Sequence, residues 1–295
     1  MFNHLKTKRL RLTQLSISDA VFILELVNSP GWLKFIGDRR IYNLKDAKVY
    51  IYSIMRNTLC TYWVVMNKND NSPMGIITFI KRDFLAFYDI GFAFLPEFLK
   101  QGYAYEATRA VLKKALIEKK YSKVFAITLH ENTESITLLE KLSFHFEQEV
   151  QNKNEALQVY AISNDLFLIN ETAKSFFRIF DNTPGRKPDW RALHRICIPE
   201  IMIVKKTVHD HEVFNLDSFL EPRKKLLSDG TLTDFSEIEI SHKTIIEGNL
   251  AQRLSSYEKT GYLEGKPIDG KGSKLFQFIR TSVGWKINSL TWEDK

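Results

Sequence analysis

Two spacings of apolar residues alternate along the first half of the chain. Leu10 and Leu12 alternate with polar residues in residues 9–15, RLRLTQL, and residues 61–67 and 74–82 are short apolar runs separated by turn residues, so these three segments predict β-strands. Residues 20–28 and 44–57 follow the spacing of an α-helix instead, and Asn-Ser-Pro-Gly at 28–31 predicts the end of the first helix.

The alternation continues to about residue 162. The predicted elements are a strand at 87–95, a helix at 104–120, a strand at 123–129, a short helix at 132–142, and strands at about 144–150 and 156–162. Strand-helix-strand crossovers of this kind are typical of a mixed sheet flanked by helices. We therefore predict an α/β domain with a mixed sheet over residues 1–163.

The pattern changes around Asn164. An amphipathic helix is predicted at 165–181 and a short helix at 189–197, followed by extended segments near 200–215, 234–246, 248–262 and 273–293, the last forming two strands around a turn at 281–284. This order predicts an α+β domain over residues 164–295, in which a curved antiparallel sheet wraps a helix. No Pro/Ser/Gly-rich stretch separates the halves, so we expect a very short linker.

Composition and charge narrow the functional classes. The 295 residues carry a net charge of +7, but the basic residues are scattered rather than interleaved with aromatics in one block, which favours a solvated basic surface over a nucleic-acid site. No apolar run approaches the roughly 18 to 20 residues of a membrane span. The two cysteines, Cys60 and Cys197, lack disulfide or metal spacing. We expect a cytoplasmic protein with no metal, nucleic-acid or membrane partner.

A turn between a predicted strand and a predicted helix is a candidate phosphate-binding site. Residues 94–107 read FLPEFLKQGYAYEA, and a glycine turn before a helix exposes backbone N–H groups that bind phosphate. Gly102 permits close approach of the backbone, Ala104 keeps the path clear, and Lys100 and Gln101 add polar groups at the rim. Alone, this turn is equally consistent with an ordinary strand-helix connection.

Three collinear segments sharpen this interpretation. Residues 5–20, 89–107 and 132–144 resemble, in order and spacing, the GNAT acetyltransferases, specifically the branch of the RimJ/RimL protein N-terminal acetyltransferases. The resemblance covers residues 5 to about 162 and implies an α/β mixed-sheet GNAT acyltransferase fold that binds acetyl-CoA.

The resemblance also implies a cofactor site. The strand at 89–95 splays from its parallel neighbour, and backbone groups around Phe92, Ala93 and Phe94 bind the pantetheine arm and polarise the thioester carbonyl. Asn132 contacts the pantetheine, and Ser135 lies one helical turn later on the same face. The residues expected to hold the pyrophosphate are Lys100, Gln101, Gly102, Tyr103, Ala104 and Tyr105.

The sequence departs from the family pattern at three points. Leu99 stands at the first position of the phosphate loop, and Lys100 replaces a glycine common in nearer relatives, although an ammonium beside a phosphate can compensate. Leu139 stands where many relatives place the tyrosine that protonates the departing thiolate, so Ser135 or water becomes the candidate acid. Ser143 replaces a glycine and affects a turn only.

The implied reaction is attack of a neutral amine on the thioester. An α-amino group is substantially neutral at cellular pH, whereas a lysine amine gains more from a base. We prefer Asp89, expected at the open end of the splayed strand, as the base or water relay, with His130 second. A solvated carboxylate and a loop histidine are the alternative interpretations.

Acceptor choice is expected to depend on residues 30–40, PGWLKFIGDRR, a predicted turn. Its aromatic and charged side chains, Trp32, Phe35, Asp38 and Arg39, are candidates for the lip of the acceptor site, although core packing explains the two aromatic residues equally well. Glu106, in the first turn of a helix, is interpreted as structural.

The second half resembles the SnoaL-like members of the nuclear transport factor two-like superfamily. The resemblance rests on the helices at 165–181 and 189–200 and on the alternating tail at 274–293, and it implies a cone-shaped curved sheet around a cavity. Strand parity places Arg253 and Tyr257 on one face and Phe276, Phe278 and Arg280 on another, so Arg253, Tyr257 and Arg280 are candidate pocket residues.

The leading hypothesis is an acetyl-CoA-dependent N-acetyltransferase that modifies a protein N-terminal or small-molecule primary amine. Its second domain would bind a ligand or form a homodimer. Two alternatives remain open: a non-catalytic acyl-CoA sensor, suggested by Leu99, Lys100 and Leu139, and an isomerase or hydrolase active in the second half.

Overall fold

The computed structural model describes residues 4–118, 121–152 and 155–295. They divide into two compact units, Met1–Asn164 and Asp165–Lys295, one residue beyond the boundary predicted from the pattern change. Within the described ranges, no helix combines the length and the apolar character needed to cross a bilayer.

The first unit is built on one eight-stranded sheet. Its strands are β1 His4–Lys6, β2 Leu10–Gln14, β3 Cys60–Asn67, β4 Pro73–Ile80, β5 Asp89–Phe94, β6 Lys123–Thr128, β7 His145–Asn152 and β8 Glu155–Ser163. The order across the sheet is β1-β2-β3-β4-β5-β6-β8-β7. The β5–β6 pair is parallel and the other neighbouring pairs are antiparallel. The predicted mixed sheet is confirmed.

Five α-helices accompany this sheet. They are α1 Ala20–Val27, α2 Pro30–Phe35, α3 Leu44–Arg56, α4 Tyr103–Lys113 and α5 Thr133–Lys141, and a π-helical turn at Lys114–Glu118 continues α4. The α1–α3 layer buries Phe22, Ile23 and Ile51 against Val64 of β3 and Ile76 of β4. The last two residues of the helix predicted at 104–120 lie outside the described residues.

The turn predicted at residues 30–40 is wrong over its first half. Pro30 occupies the first position of α2, where its missing N–H costs no helical hydrogen bond and its fixed φ suits the helix. The Pro-Gly pair that ends α1 therefore also begins the next helix. Trp32 of α2 is 5% exposed and belongs to the core of the α1–α3 layer.

The second unit contains a separate six-stranded sheet. Its strands are β9 Cys197–Lys206, β10 His211–Phe214, β11 Leu232–Glu247, β12 Leu250–Leu263, β13 Lys266–Thr281 and β14 Gly284–Asp294, and its helices are α6 Asn164–Arg178, α7 Trp190–Ile196 and α8 Leu216–Ser228. The order is β10-β9-β14-β13-β12-β11. Only β9 and β14 pair in parallel among the described strands of this sheet.

The helices of this unit pack on one face of its sheet through an aromatic core. Phe176 of α6 contacts Phe276 of β13 edge to face, with ring centroids 5.1 Å apart. The predicted strand parity is correct for β12, because Ala251, Arg253 and Tyr257 are all buried on the core face. The α+β architecture supports the predicted fold class, and the cone identity stays a prediction.

Helix α8 was not predicted, and the extended segment expected at 200–215 is two strands. Glu221, Pro222 and Arg223 interrupt the apolar spacing in the middle of α8. The helix is specified at its start instead: Asn215 accepts a hydrogen bond from the Ser218 N–H at 2.9 Å, and the Ser218 hydroxyl accepts one from the Asn215 N–H at 3.0 Å. Such a reciprocal cap satisfies two donors at a helix end.

Replacing the cap residue tests whether it specifies α8. Asn215→Ala should lower the free energy of unfolding of the second unit by about 1 kcal/mol, the usual cost of losing a helix cap. The exposed turn residue Asn249 provides the control, because Asn249→Ala should change stability by less than about 0.5 kcal/mol. Urea unfolding measures both, and equal effects would show that the cap contributes nothing specific.

Candidate functional site

Among the described residues, strands β5 and β6 of the first unit are in register only at the start of β5. One register pair, Asp89 with Phe125, connects them among the described residues, and the Phe125 N–H donates to the Tyr88 C=O at 2.9 Å. Strand β5 stays paired with β4 along its whole length, and β6 stays paired with β8. The strands therefore separate beyond Asp89, and one edge of β5 is left open.

The alternation of a strand identifies the backbone groups at this open edge. The Tyr88 C=O is directed toward β6, whereas the Leu95 N–H donates to Met74 of β4 at 2.9 Å. Because successive residues direct their N–H and C=O groups to opposite sides, Phe92 and Phe94 direct theirs into the gap. Ala93 directs its backbone toward β4 instead, where it pairs with Ile76, so its N–H and C=O groups do not face the gap.

The open edge leads to the turn that precedes α4. Lys100 and Gly102 both adopt left-handed backbone conformations, with φ of 58° and 78°. The first helical hydrogen bond runs from the Glu106 N–H to the Gly102 C=O at 3.1 Å, so the preceding N–H groups, including those of Tyr103 and Ala104, lie at the helix end. The half-buried Tyr105 lies in the same turn.

Arg9, in the connection between β1 and β2, holds this turn, and sequence reasoning missed it. Its Nη1 donates to the Gln101 C=O at 3.0 Å, its guanidinium lies 4.4 Å from the centre of the Tyr103 ring, and its Nε donates to Glu106 Oε2 at 2.7 Å. In the sequence, Arg9 is one basic residue in an alternating strand. No local pattern links it to residues more than 90 positions away.

Glu106 completes the anchor, as its structural interpretation requires. Besides Arg9 Nε, it accepts hydrogen bonds from the Arg9 N–H at 2.8 Å and the Thr7 hydroxyl at 2.5 Å. Burial opposes its ionisation, but the hydrogen bonds from Thr7 and Arg9 outweigh burial and lower the pKa of Glu106. A charged Glu106 therefore fixes the start of α4 against the connection between β1 and β2.

The second predicted cofactor segment lies at the start of α5. Asn132 caps this helix: its Oδ1 accepts a hydrogen bond from the Ser135 N–H at 3.2 Å. This bond does not use the Nδ2 group of Asn132. Ser135 is half-buried. Lys100 Nζ lies 3.1 Å from Glu134 Oε1, so the fold brings the two predicted cofactor segments together.

Asp89 lies at the closed end of the strand pair, because it is the β5 residue in register with Phe125, where β5 and β6 meet among the described residues. Its expected position at the open end is wrong. The side chain is 1% exposed and accepts from Arg82 Nε at 2.7 Å. Burial raises the pKa of Asp89, and the Arg82 guanidinium opposes that rise without reversing it.

His130 lies at the opposite end of this strand pair, two residues after β6. The imidazole is exposed, and its Nδ1 is 3.1 Å from Gln158 Nε2, while Gln158 Oε1 accepts from the Tyr160 hydroxyl at 3.3 Å. The two candidate bases are therefore separated along the strands rather than brought together.

The four residues predicted for the lip of the acceptor site differ in their exposure to solvent. Trp32 is in the core, Phe35 is half-buried beneath the Lys34 ammonium, and Asp38 and Arg39 are exposed. Hydrogen bonds from the Arg40 N–H and the Tyr42 hydroxyl lower the pKa of Asp38. Core packing thus explains Trp32.

The three candidate pocket residues of the second unit are all engaged by partners. Arg253, 2% exposed, makes a two-point contact with Glu239 at 2.8 and 2.6 Å. Tyr257 donates to Asp294 Oδ1 at 2.8 Å and lies under the Lys274 ammonium at 3.7 Å. Arg280 pairs with Asp165 and stacks on Trp285.

Comparison with known proteins identifies the first unit. Residues 9–145 match the family model described as the acetyltransferase (GNAT) domain. These residues form a GNAT acetyltransferase domain. The domain lies wholly within the first unit, and the splayed strands, the glycine turn and the start of α5 all belong to it.

Similar proteins carry related descriptions. An uncharacterised N-acetyltransferase of Bacillus subtilis, YnaD, is 25% identical over 144 residues, covering 49% of this chain and 84% of YnaD. A GNAT-family acetyltransferase structure from Bacillus anthracis has 26% identity and a TM-score of 0.48, covering 55% of this chain and 98% of that one. An alanine acetyltransferase of ribosomal protein S5 from Vibrio fischeri has 17% identity and a TM-score of 0.47, covering 56% and 98%.

The residues present fit the acetyl-CoA that such domains use as acyl donor. The open edge of β5 supplies unpaired backbone groups, and the turn at Gly102 supplies a helix end with Arg9 and Lys100 beside it. The left-handed backbone at Gly102, with a φ of 78°, favours glycine there, while the nearest side-chain atom to a Cβ at this position would be Arg9 Nη2 at 3.4 Å, an ordinary contact distance. In the described part of the chain, no cluster of three His, Cys, Asp or Glu residues is arranged to hold a metal ion.

The contrast between Arg253 and Arg280 tests whether these candidate residues are structural. Arg253→Leu leaves the Glu239 carboxylate without its guanidinium and should cost about 3–5 kcal/mol, as breaking a buried pair does. Arg280→Leu removes a more exposed pair and should cost at most about 1 kcal/mol. Urea unfolding at neutral pH measures both.

The pH dependence of the free energy of unfolding gives a second test of the Arg253–Glu239 pair. Burial opposes ionisation of Glu239, but Arg253 outweighs it, so the folded pKa is lowered. The stabilisation is therefore present above the ordinary glutamate pKa and is lost as pH falls through the lowered folded value. The difference between wild type and Arg253→Leu should narrow in acid, and a constant difference would contradict an ionic role.

Proposed function

We propose that the first unit is an acetyl-CoA-dependent N-acetyltransferase of the RimJ/RimL-like branch, acting on a primary amine of a protein N-terminus or a small molecule. The observation that carries this proposal is the open edge of β5 beyond the Asp89–Phe125 pair, which leads to the phosphate-binding type of turn at Gly102. Bound acetyl-CoA would supply an acetyl group activated as a thioester.

The direction of the cleft follows from the position of this turn. The turn comes after the C-terminal end of β5, so the phosphates belong at the open end of the strand pair and the arm extends toward Asp89. A six-residue strand is about 20 Å long, enough to accompany the arm along the open edge. The backbones of Phe92 and Phe94 and the Asn132 Nδ2 group would hold the arm.

This direction favours Asp89 over His130 as the group that accepts the amine proton. Asp89 lies at the thioester end, and alternation puts its side chain on the same sheet face as Ala93 and Leu95, which pack against the α1–α3 layer. His130 lies at the phosphate end. Arg82 would position the Asp89 carboxylate. Gly91, between Asp89 and Ala93, makes room for the Thr78 hydroxyl, which would lie only 2.7 Å from a Cβ at this position.

The acceptor class follows from proton chemistry. An α-amino group, with a pKa of about 7.7–8.0, offers far more neutral amine at cellular pH than a lysine side chain at about 10.4. A single buried carboxylate near the thioester is consistent with such an acceptor. Exposed Asp38 and Arg39 remain our candidates for contacts at the acceptor entrance, together with Phe35.

A non-catalytic acyl-CoA sensor is the second candidate, favoured by Leu139. This leucine is 1% exposed, so the position at which many relatives carry an acidic phenol is filled by core packing. An active enzyme would then protonate the leaving thiolate through Ser135 or water. A sensor would bind acetyl-CoA and release no free CoA with any amine.

For the second unit we propose the SnoaL-like cone fold and a role in ligand binding or homodimer formation. The long antiparallel strands β11–β13 and the helices on one face of the sheet support this proposal. Isomerase or hydrolase activity is less well supported, because Arg253, Tyr257 and Arg280 are all engaged by protein partners. Cytoplasmic location and the lack of nucleic-acid or membrane partners stay predictions.

Calorimetric titration with acetyl-CoA and CoA tests the cofactor proposal. Wild type should bind with micromolar affinity, and Gly102→Glu should raise the Kd at least a hundredfold, because the side chain and its charge occupy the phosphate position. Gly185 is the matched control: it has a similar φ of 80° but open surroundings in the second unit, so Gly185→Glu should bind normally.

Release of free CoA, followed with a thiol reagent in the presence of N-terminal peptides and small amines, then separates enzyme from sensor. Binding with turnover supports the enzyme, and binding without turnover supports the sensor. Equal affinity of wild type and Gly102→Glu would contradict the proposed cofactor site itself.

Arg9 provides an independent test of the anchored turn. Arg9→Met removes the bond to the Gln101 C=O and leaves Glu106 without its guanidinium, so the Kd for acetyl-CoA should rise about tenfold, the loss expected for a charged hydrogen bond. Lys8→Met removes the same charge from the preceding, exposed position and should have little effect. Equal changes in both variants, measured by calorimetry, would show that Arg9 contributes only net charge.

A further inference from the structure

An exposed ion pair joins the two segments at the phosphate end of the cleft. Lys100 comes from the turn before α4 and Glu134 from the first turn of α5, and their Nζ and Oε1 atoms are 3.1 Å apart. Their side chains are 81% and 67% exposed. The pair therefore lies where the proposed cofactor phosphates would enter.

The backbone at this position is one that glycine adopts more readily than lysine. Lys100 has a φ of 58°, a conformation that favours glycine and that few other residues adopt. The turn thus keeps its left-handed shape while gaining a long, flexible cation. The side chain reaches Glu134 across the opening instead of lying along its own turn.

Two ion pairs on the same turn differ in how firmly they are held. The Arg9–Glu106 pair is reinforced by hydrogen bonds from Thr7 and the Arg9 backbone, and the Glu106 side chain is only 17% exposed. The Lys100–Glu134 pair is open to solvent, and pairs of this kind contribute little to stability. A phosphate dianion can compete for Lys100 but not for Arg9's contacts with Glu106.

We propose that Lys100 exchanges partners when the cofactor binds: it breaks its ion pair with Glu134 and pairs with the cofactor phosphates. Glu134 therefore competes with the phosphates for Lys100 and lowers the affinity for the cofactor. This inference rests on the proposed acetyl-CoA site. It makes Glu134 a residue that weakens binding, because the free protein must give up the Lys100–Glu134 contact before Lys100 can pair with phosphate. Lysine instead of glycine at position 100 therefore sets the affinity for the cofactor and makes that affinity depend on salt concentration.

The test is a cycle of four proteins titrated with CoA: wild type, Glu134→Gln, Lys100→Gln and the double variant. Glu134→Gln should bind CoA about threefold more tightly than wild type, and Lys100→Gln about fivefold more weakly. In the Lys100→Gln background, Glu134→Gln should change the Kd by less than about 1.5-fold, since no contact remains to be exchanged. These fold-changes are the size expected for one exposed charge pair.

Two controls make the result specific. Pantetheine, which lacks the phosphates, should bind all four proteins equally. Glu131→Gln removes a neighbouring exposed carboxylate that lies before α5, and it should leave CoA binding unchanged.

Equal tightening by Glu134→Gln in both backgrounds would mean simple charge repulsion and would overturn the exchange, as would no tightening at all. In either case the proposed acetyl-CoA site would stand, because wild type still binds CoA. Failure of wild type to bind CoA would overturn the cofactor site and this inference together.

Discussion

The first unit depends on where one pair of parallel strands stops pairing. Strand β5 satisfies its β4 edge completely, but its other edge meets β6 only at Asp89. Backbone N–H and C=O groups need hydrogen-bond partners, so an open edge inside a sheet is a site for another extended, amide-bearing molecule. In the function that we propose, the turn at Gly102 and the cap at Asn132 hold the cofactor because the strands separate beside them.

Charge around this opening is arranged in two ways. Arg9 and Glu106 form a partly buried anchor that fixes the start of α4, whereas Lys100 and Glu134 form a solvent-exposed contact. The second unit uses charge differently. Its Arg253–Glu239 and Lys274–Glu237 pairs lie within the packed interior, where they join strands of the sheet. Similar residue types therefore suit binding in one unit and internal structure in the other.

Sequence patterns predicted the elements that depend on local spacing. The alternation in β2, the short apolar runs of β3 and β4, the helical spacing in α3–α5 and the buried face of β12 were all visible in the local pattern of apolar residues. The spacing of apolar residues did not predict the two helices that are specified by residues at their N-termini. Pro30 begins α2, and the Asn215 cap begins α8 although Pro222 lies inside that helix. The mixed sheet and the GNAT domain could be predicted; the site could be predicted only in part.

The missed parts of the site depend on contacts between distant segments. Arg9 joins a turn more than 90 residues away, which one sequence does not reveal. Whether Asp89 stands at the open or the closed end depends on which residues of β5 and β6 pair. The direction of the Ala93 backbone depends on the same register. Motifs pointed to the candidate cofactor segments, but the strand register determines which backbone atoms lie at the open edge of β5.

Hydrogen–deuterium exchange of the intact protein with and without CoA tests the central claim most directly. If the open edge of β5 is the cofactor cleft, CoA should slow exchange at the amides of Phe92 and Phe94 and in the turn at 100–104, while β12 and β13 of the second unit are unchanged. Unchanged exchange along β5 at saturating CoA, or protection confined to the second unit, would contradict the account.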